Sequence, residues 1–172
     1  MRRGIVDGMT DPDASASGWP DEPTELLGMP AFGFADAGPI RDELTAAVLA
    51  GEKTATTSLV VDYVIDGARL PTVGERSVIF GSDLRPVAIV ETTAWRLWTV
   101  GLVDDAFAAA EGEGYADAAA WRIAHEGSWA MSLDLYRRAL HDPDFAITTS
   151  TAVVCEWFRL IERLDATGQS PS

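Results

Sequence analysis

Apolar residues recur at helical spacing between Pro39 and Gly51, and β-branched residues dominate the stretch that follows, residues 54–61. Proline suits the first turn of a helix, and glycine suits the position just after its end. The pattern therefore predicts a helix, followed by a strand or by a strand that bends into a short helical turn. Lys53 lies in the connector between them.

The rest of the chain shows separate strand and helix patterns. Residues 76–80 and 86–97 are rich in β-branched side chains and flank a Gly-Ser-Asp turn, so they predict a hairpin. Residues 103–110 and 120–140 have helical spacing, the latter with a predicted break near Gly127. Residues 152–161 are apolar on both faces, as in a covered central strand. Strands on both sides of a helical block indicate an α+β fold. We interpret it as a small, largely antiparallel barrel with helices packed on its outside.

The N-terminal part of the chain divides in two. Residues 1–24 are rich in Asp, Gly, Ser and Pro without apolar periodicity, which predicts a flexible leader. Residues 26–34 carry more apolar side chains than a free tail would, so we expect them to pack on the domain as irregular structure.

The net charge of -14 limits the class of partner. Polyanions are attracted by clustered Lys and Arg and repelled by a field of the opposite sign, so extended RNA binding is disfavoured. A single nucleoside carries little or no charge and would escape this repulsion. No apolar run is long enough to cross a bilayer, and the single cysteine, Cys155, has no partner for an internal disulfide. We expect a cytoplasmic protein without a membrane partner, with Cys155 as an inert buried thiol. The sequence leaves the oligomeric state open.

Lys53 is the only lysine in a chain whose other basic residues are arginine. An arginine stays protonated, whereas a partly buried lysine can lose its proton and act as a base or nucleophile. Four hydroxyl side chains follow it within five residues. The alternative is a solvated charge at a helix end, with the hydroxyls present because the segment forms a strand.

Glu111 and Glu113 lie in a glycine-interrupted segment after the second helical pattern. Glycines allow a backbone to approach a ligand closely, so these carboxylates are candidates for a binding cleft. The alternative is an acidic, solvated helix terminus. Nearby Trp121, His125 and Ser128 are candidates for the rim of a substrate pocket, since aromatic faces stack on nucleobases.

Five segments resemble the ASCH (activating-signal-cointegrator homology) family, which is related to the PUA RNA-binding domain. The first is the Gly-x-Lys-Thr-x-Thr pattern at residues 51–56, and the others are residues 70–75, 85–93, 110–114 and 153–158. Their order is similar to that of the longer bacterial members. The resemblance implies a PUA-like domain over residues 38–163, with a leader at 1–37 and a tail at 164–172.

The resemblance also implies a function. In the ASCH branch that hydrolyses N4-acetylcytidine, a lysine, a threonine three residues later and a glutamate are implicated in catalysis, which correspond here to Lys53, Thr56 and Glu113. Thr56 could be the nucleophile if Lys53 were neutral. A charged Lys53 would instead stabilise an oxyanion while water attacks. Thr54 and Glu111 complete the predicted substrate contacts.

Two other functions remain as alternatives. One is an RNA-binding or RNA-cleaving module, and the other is a module that only senses a modified nucleobase. We expect no cofactor and no metal, because His125 and His141 are far apart in the sequence and lack ligands at metal spacing.

Overall fold

The computed structural model describes residues 22–165. The flexible leader predicted at residues 1–24 and the predicted tail therefore fall almost entirely outside the described residues. The strands, in chain order, are β1 (Glu25–Leu26), β2 (Met29–Phe32), β3 (Ala55–Leu59), β4 (Arg76–Phe80), β5 (Pro86–Thr99) and β6 (Ala152–Arg163). The α-helices are α1 (Pro39–Ala50), α2 (Val60–Ile65), α3 (Asp105–Ala110), α4 (Ala118–Ala130) and α5 (Leu133–Leu140), with a short 3-10 turn at Val100–Leu102.

The six strands form one sheet in the order β1-β2-β4-β5-β6-β3. Only β2 and β4 pair in parallel, and all other neighbours are antiparallel. The predicted α+β class with a largely antiparallel sheet is therefore confirmed. Within residues 22–165 the pairings have two ends, β1 and β3, so the sheet does not close into the barrel that the prediction described.

Strand β6 lies between β5 and β3, which confirms the central position predicted from its two apolar faces. Each face packs against its own apolar cluster. The first cluster contains Leu59, Phe107 and Trp121 and is covered by α3, α4 and α5, while the second contains Phe34, Val48 and Phe158 and is covered by α1. The two clusters hold the helices in place around the connector that carries Lys53.

The segment before α1 differs from the prediction. Residues 26–34 were expected to be irregular, but they include β1 and β2, and β2 adds to the edge of the sheet beside β4. Arg41 of α1 fastens this segment, since its guanidinium is 1% exposed and donates to the carbonyls of Phe34 and Ala35 and to Glu22. Phe34 is thereby held against the second cluster. Among the described residues, no helix has both the length and the apolar character needed to span a membrane.

Candidate active site

Lys53 lies just beyond the end of α1 and is almost completely buried. Gly51 ends the helix in the left-handed conformation, with φ of 77°, and the Lys53 amide donates to the carbonyl of Ala47 at 3.1 Å. The Lys53 side chain is 2% exposed within the fold. A solvated charge at a helix end, the alternative interpretation of this lysine, is therefore wrong.

Three groups surround the Lys53 amine. Its Nζ donates to Glu113 Oε1 at 2.7 Å and to the main-chain carbonyl of Glu111 at 3.2 Å. It also lies 5.1 Å from the centre of the Phe34 ring. A carboxylate, a carbonyl and an aromatic face all stabilise an ammonium better than a neutral amine. The geometry therefore favours the charged form of Lys53.

Gly112 allows the acidic segment to press against the lysine connector. Its φ is +66°, and a Cβ at this position would lie 2.4 Å from the carbonyl oxygen of Glu52 and 2.7 Å from the main-chain nitrogen of Lys53. Real side chains do not tolerate such distances from backbone atoms, so only glycine fits here. Gly112 thus permits the close approach of this segment to the Lys53 connector.

Glu113 connects the buried amine to the surface. Its second oxygen, Oε2, accepts a hydrogen bond from the Tyr115 hydroxyl at 2.9 Å, and burial raises the pKa of Tyr115. Glu113 also lines a groove of about 280 Å³ between α1 and the acidic segment. Water in this groove can reach Glu113, whose side chain is 18% exposed, whereas the Lys53 side chain is buried.

Glu111, which is fully buried, is the centre of a second network. Its Oε1 accepts from the Thr57 hydroxyl at 2.7 Å, and its Oε2 accepts from the Trp121 indole at 2.5 Å and lies 3.2 Å from His125 Nε2. Burial alone would raise the pKa of Glu111. The hydrogen bond from His125 and the charges of Lys53 and His125 outweigh burial and hold the pKa below its ordinary value.

This network changes the interpretation of three predicted substrate contacts. Glu111 and Trp121 are 1% and 0% exposed, so neither presents a free surface to a ligand. His125 stacks on Trp121 with ring centres 4.2 Å apart, and its Nδ1 lies 3.1 Å from the Trp121 carbonyl. Trp121 and His125 of α4 pack against the Glu111 carboxylate and stabilise the acidic segment, and they do not line an open pocket.

The remaining predicted residues have different surroundings. Thr54 directs both its amide and its hydroxyl to the carbonyl of Ala110, at 2.8 and 3.2 Å, and so ties β3 to α3. Ser128 is exposed on α4, and no hydrogen bond joins it to the other site residues described. Cys155 is buried, as predicted, and burial raises its pKa to about 12, which disfavours the reactive thiolate.

Thr56 is the main departure from the predicted trio. It lies opposite Glu156 in the β3–β6 ladder, whereas Thr57 lies opposite Cys155, so their side chains occupy opposite faces of the sheet. Thr57 contacts Glu111, but within residues 22–165 no hydrogen bond joins Thr56 to Lys53 or Glu113. The structure thus brings together Lys53, Glu113 and Glu111, and not Thr56.

Sequence reasoning missed Phe34, Thr57 and Tyr115 as neighbours of the site. Tyr115 follows Glu113 by two residues, and a tyrosine within an acidic segment was an available signal. Thr57 could be chosen over Thr56 only with the register of β3 known, and the position of Phe34 depends on the tertiary packing of β2.

The expectation about metals rested on a premise that the structure corrects. Ligand atoms of Glu111, Glu113 and His125 lie within 4.8 Å of one another, so His125 does have carboxylates nearby. However, the ammonium of Lys53 already pairs with Glu113, and both Glu111 oxygens accept hydrogen bonds. A metal ion would have to displace these donors.

The fold and the site together define a PUA-like α+β domain with a buried lysine–glutamate pair. The chain belongs to the ASCH domain family, whose sequence model matches residues 31–162.

Solved structures support the same fold. The chain is similar to a protein from Enterococcus faecalis V583, with a TM-score of 0.67 and 24% identity, covering 81% of this chain and 80% of that one. It is also similar to an ASCH domain from Lactobacillus crispatus JV V101, with a TM-score of 0.61 and 28% identity over 76% and 77% of the two chains. A comparison with curated protein sequences found no significant match.

Proposed function

We propose that the protein is a metal-independent amidohydrolase that removes the acyl group from N4-acylated cytidine or a related nucleoside. The observation that carries the proposal is the buried ion pair of 2.7 Å between Lys53 and Glu113. Both residues lie in segments that resemble the N4-acetylcytidine-hydrolysing branch of the family. Membership of the ASCH family is consistent with hydrolase activity.

Lys53 acts in this proposal as a fixed positive charge. Its neighbours favour the ammonium, so it is suited to donate a hydrogen bond to the acyl carbonyl oxygen as that oxygen gains negative charge. A neutral lysine that accepts a proton from Thr56 is disfavoured by the same contacts. Preorganised donors of this kind typically contribute roughly 10²–10³-fold in rate.

Glu113 acts as the proton carrier. Water from the groove attacks the acyl carbon, and one water proton passes to the Glu113 carboxylate. The bond between the acyl carbon and N4 then breaks, and Glu113 returns the proton to N4. The products are cytidine and a carboxylic acid, and no redox partner is required.

RNA as the substrate or partner is the weaker proposal. A net charge of -14 repels a polyanion, and the proposed reaction needs only the acylated base. Binding of RNA through phosphates would weaken steeply as salt rises, so a salt series over nucleoside and RNA ligands separates the two partners.

The test is release of cytidine and acetate from N4-acetylcytidine by purified protein, with and without a chelator. We expect Lys53→Met to lower the rate at least roughly 100-fold, because the charge is lost while the length of the side chain is kept. Arg138→Met removes an exposed cation on α5 and should leave the rate unchanged. Absence of turnover across a panel of acylated nucleosides would contradict the proposed activity.

A further inference from the structure

Trp95 differs from the other tryptophans that the structure describes. Trp98, Trp121, Trp129 and Trp157 all make ring contacts and belong to or pack against the first apolar cluster. Within residues 22–165, Trp95 makes no ring contact and belongs to neither cluster, although it is half-buried. A large aromatic face that packs on no other ring is suited to a planar ligand.

Glu156 of the central strand β6 lies beside Trp95 of β5. Register pairs Glu156 with Trp95 on one side and with Thr56 on the other, so the three side chains form a row across three adjacent strands. Directly opposed side chains on one face lie about 5 Å apart. We name Trp95, Glu156 and Thr56 the β6 row.

The β6 row has hydrogen-bonding capacity left for a ligand. Glu156 Oε1 accepts from the Thr92 hydroxyl at 2.6 Å, and no described residue donates to Oε2. The Thr56 hydroxyl likewise has no hydrogen-bond partner among the described residues, and all three members of the row are half-buried. The row therefore combines an aromatic face with one free carboxyl oxygen and one free hydroxyl.

The charges around the row select against phosphate. Glu75 lies close enough to Glu156 to raise its pKa by repulsion, although burial is the larger cause. Tyr63 of α2 adds a phenol whose pKa is raised to about 12, chiefly by burial and then by the charge of Glu156. Among the described interactions, no cation pairs with Glu156 or Tyr63, and Glu75 pairs with the exposed guanidinium of Arg69. A ligand of this face should be uncharged and should donate hydrogen bonds.

The β6 row is also connected to the lysine. Phe158 lies two residues beyond Glu156 on the same face of β6, and the Phe34 ring lies 6.4 Å from that of Phe158 and 5.1 Å from Lys53 Nζ. Thr56 follows Lys53 by three positions, so at most about 10 Å of chain lies between their Cα atoms. An acyl group on a base held at the row is thus within reach of the Lys53–Glu113 pair.

We propose that Trp95, Glu156 and Thr56 bind the nucleobase of an uncharged nucleoside, with the base stacked on Trp95 and its exocyclic nitrogen donating to Glu156. As the base-binding part of a hydrolase site, this assignment rests on the proposed function. Binding itself does not need turnover, because the product cytidine presents the same base.

The experiment is calorimetric titration of the full chain with cytidine. Stacking on an aromatic side chain contributes about 1–3 kcal/mol, so we expect Trp95→Leu to weaken cytidine binding roughly 10-fold or more with little change in Tm. Glu156→Met should weaken binding similarly, while Glu156→Gln should retain most of it because the amide keeps an acceptor oxygen. Cytidine monophosphate should bind more weakly than cytidine.

A matched control is Trp98→Leu, which removes a tryptophan from the opposite face of the same strand. It should lower Tm and leave the affinity for cytidine unchanged. An unchanged Kd in Trp95→Leu, or tighter binding of the monophosphate, would overturn the proposed row.

Turnover assays separate this failure from failure of the hydrolase. Hydrolysis with an unchanged KM in Trp95→Leu would overturn the β6 row and keep the enzyme. Cytidine binding that depends on Trp95 without any turnover would keep the β6 row and overturn the enzyme.

Discussion

Glu111 is fully buried and Glu156 is half-buried, and the two carboxylates have very different surroundings. Glu111 faces α4, and each of its oxygens accepts a hydrogen bond. Glu156 lies on the opposite face with one hydroxyl donor, Thr92, and another carboxylate, Glu75, nearby. The pKa is lowered in Glu111 and raised in Glu156.

The comparison shows that burial alone does not indicate a functional carboxylate. A glutamate whose oxygens all accept hydrogen bonds from protein donors stabilises the fold. A ligand that bound to it would have to displace those hydrogen bonds, which costs free energy. A glutamate that keeps a free oxygen beside an aromatic face and a free hydroxyl is able to bind. In this protein Glu111 is the stabilising glutamate and positions the Lys53–Glu113 pair, whereas Glu156 is the proposed base-binding glutamate.

Gly112→Ala should break this arrangement most severely. The new Cβ would meet the carbonyl of Glu52 at 2.4 Å with φ at +66°, so the segment must move away from Lys53 and take both Glu111 and Glu113 with it. We expect a loss of about 3 kcal/mol or more in the free energy of unfolding and loss of hydrolysis. Urea denaturation and the cytidine-release assay measure the two effects.

Gly114→Ala is the control for Gly112. It has a similar φ of +80°, but no atom lies within 4 Å of the added Cβ. Its cost should be about 1–2 kcal/mol from backbone strain only. Equal costs for the two substitutions would show that close approach to Lys53 is not what requires Gly112.

Glu111→Gln tests the occupied carboxylate. The amide cannot accept from all three donors, and Lys53 and His125 lose a nearby negative charge, so we expect a loss of about 3 kcal/mol at neutral pH. Because the folded pKa of Glu111 is lowered, its stabilising effect is present above the unfolded value near 4.5 and is lost as pH falls through the folded value. The difference in unfolding free energy between wild type and variant should therefore narrow in acid. A difference that grows in acid would contradict the lowered pKa.

Local pattern was enough to predict most elements of the fold. The helix that Gly51 ends, the β4–β5 hairpin and the central strand β6 each follow from residues close in sequence. Strand β2 could not be predicted in this way, because its identity depends on parallel pairing with β4, more than 40 residues later. Nonlocal pairing leaves no periodic signal in so short a segment.

The residues of the candidate site likewise differ in whether the sequence alone could predict their positions. Lys53 and Glu113 were candidates from the residues themselves and took their catalytic roles from the family resemblance, and the structure brings them into contact. Trp121 and His125 were chosen because they are near the acidic segment in sequence, but helical phase turns Trp121 into the core. Trp95 carries no distinguishing local signal, since only the packing of residues 22–165 shows that none of their other rings covers it.

Glu156→Gln should give the smallest effect, with the opposite sign to that of Glu111→Gln. Burial raises the pKa of Glu156 in the folded protein, so the stability linked to its protonated form is present below the unfolded value and is lost as pH rises through the folded value. The neutral amide keeps an acceptor for Thr92 and removes the repulsion from Glu75, so we expect the variant to be more stable by about 1 kcal/mol at neutral pH. In acid, where Glu156 is itself neutral, the two proteins should unfold at the same urea concentration. A variant that is less stable at neutral pH would mean that the charge of Glu156 is satisfied by the fold, and the free oxygen on which base binding depends would not exist.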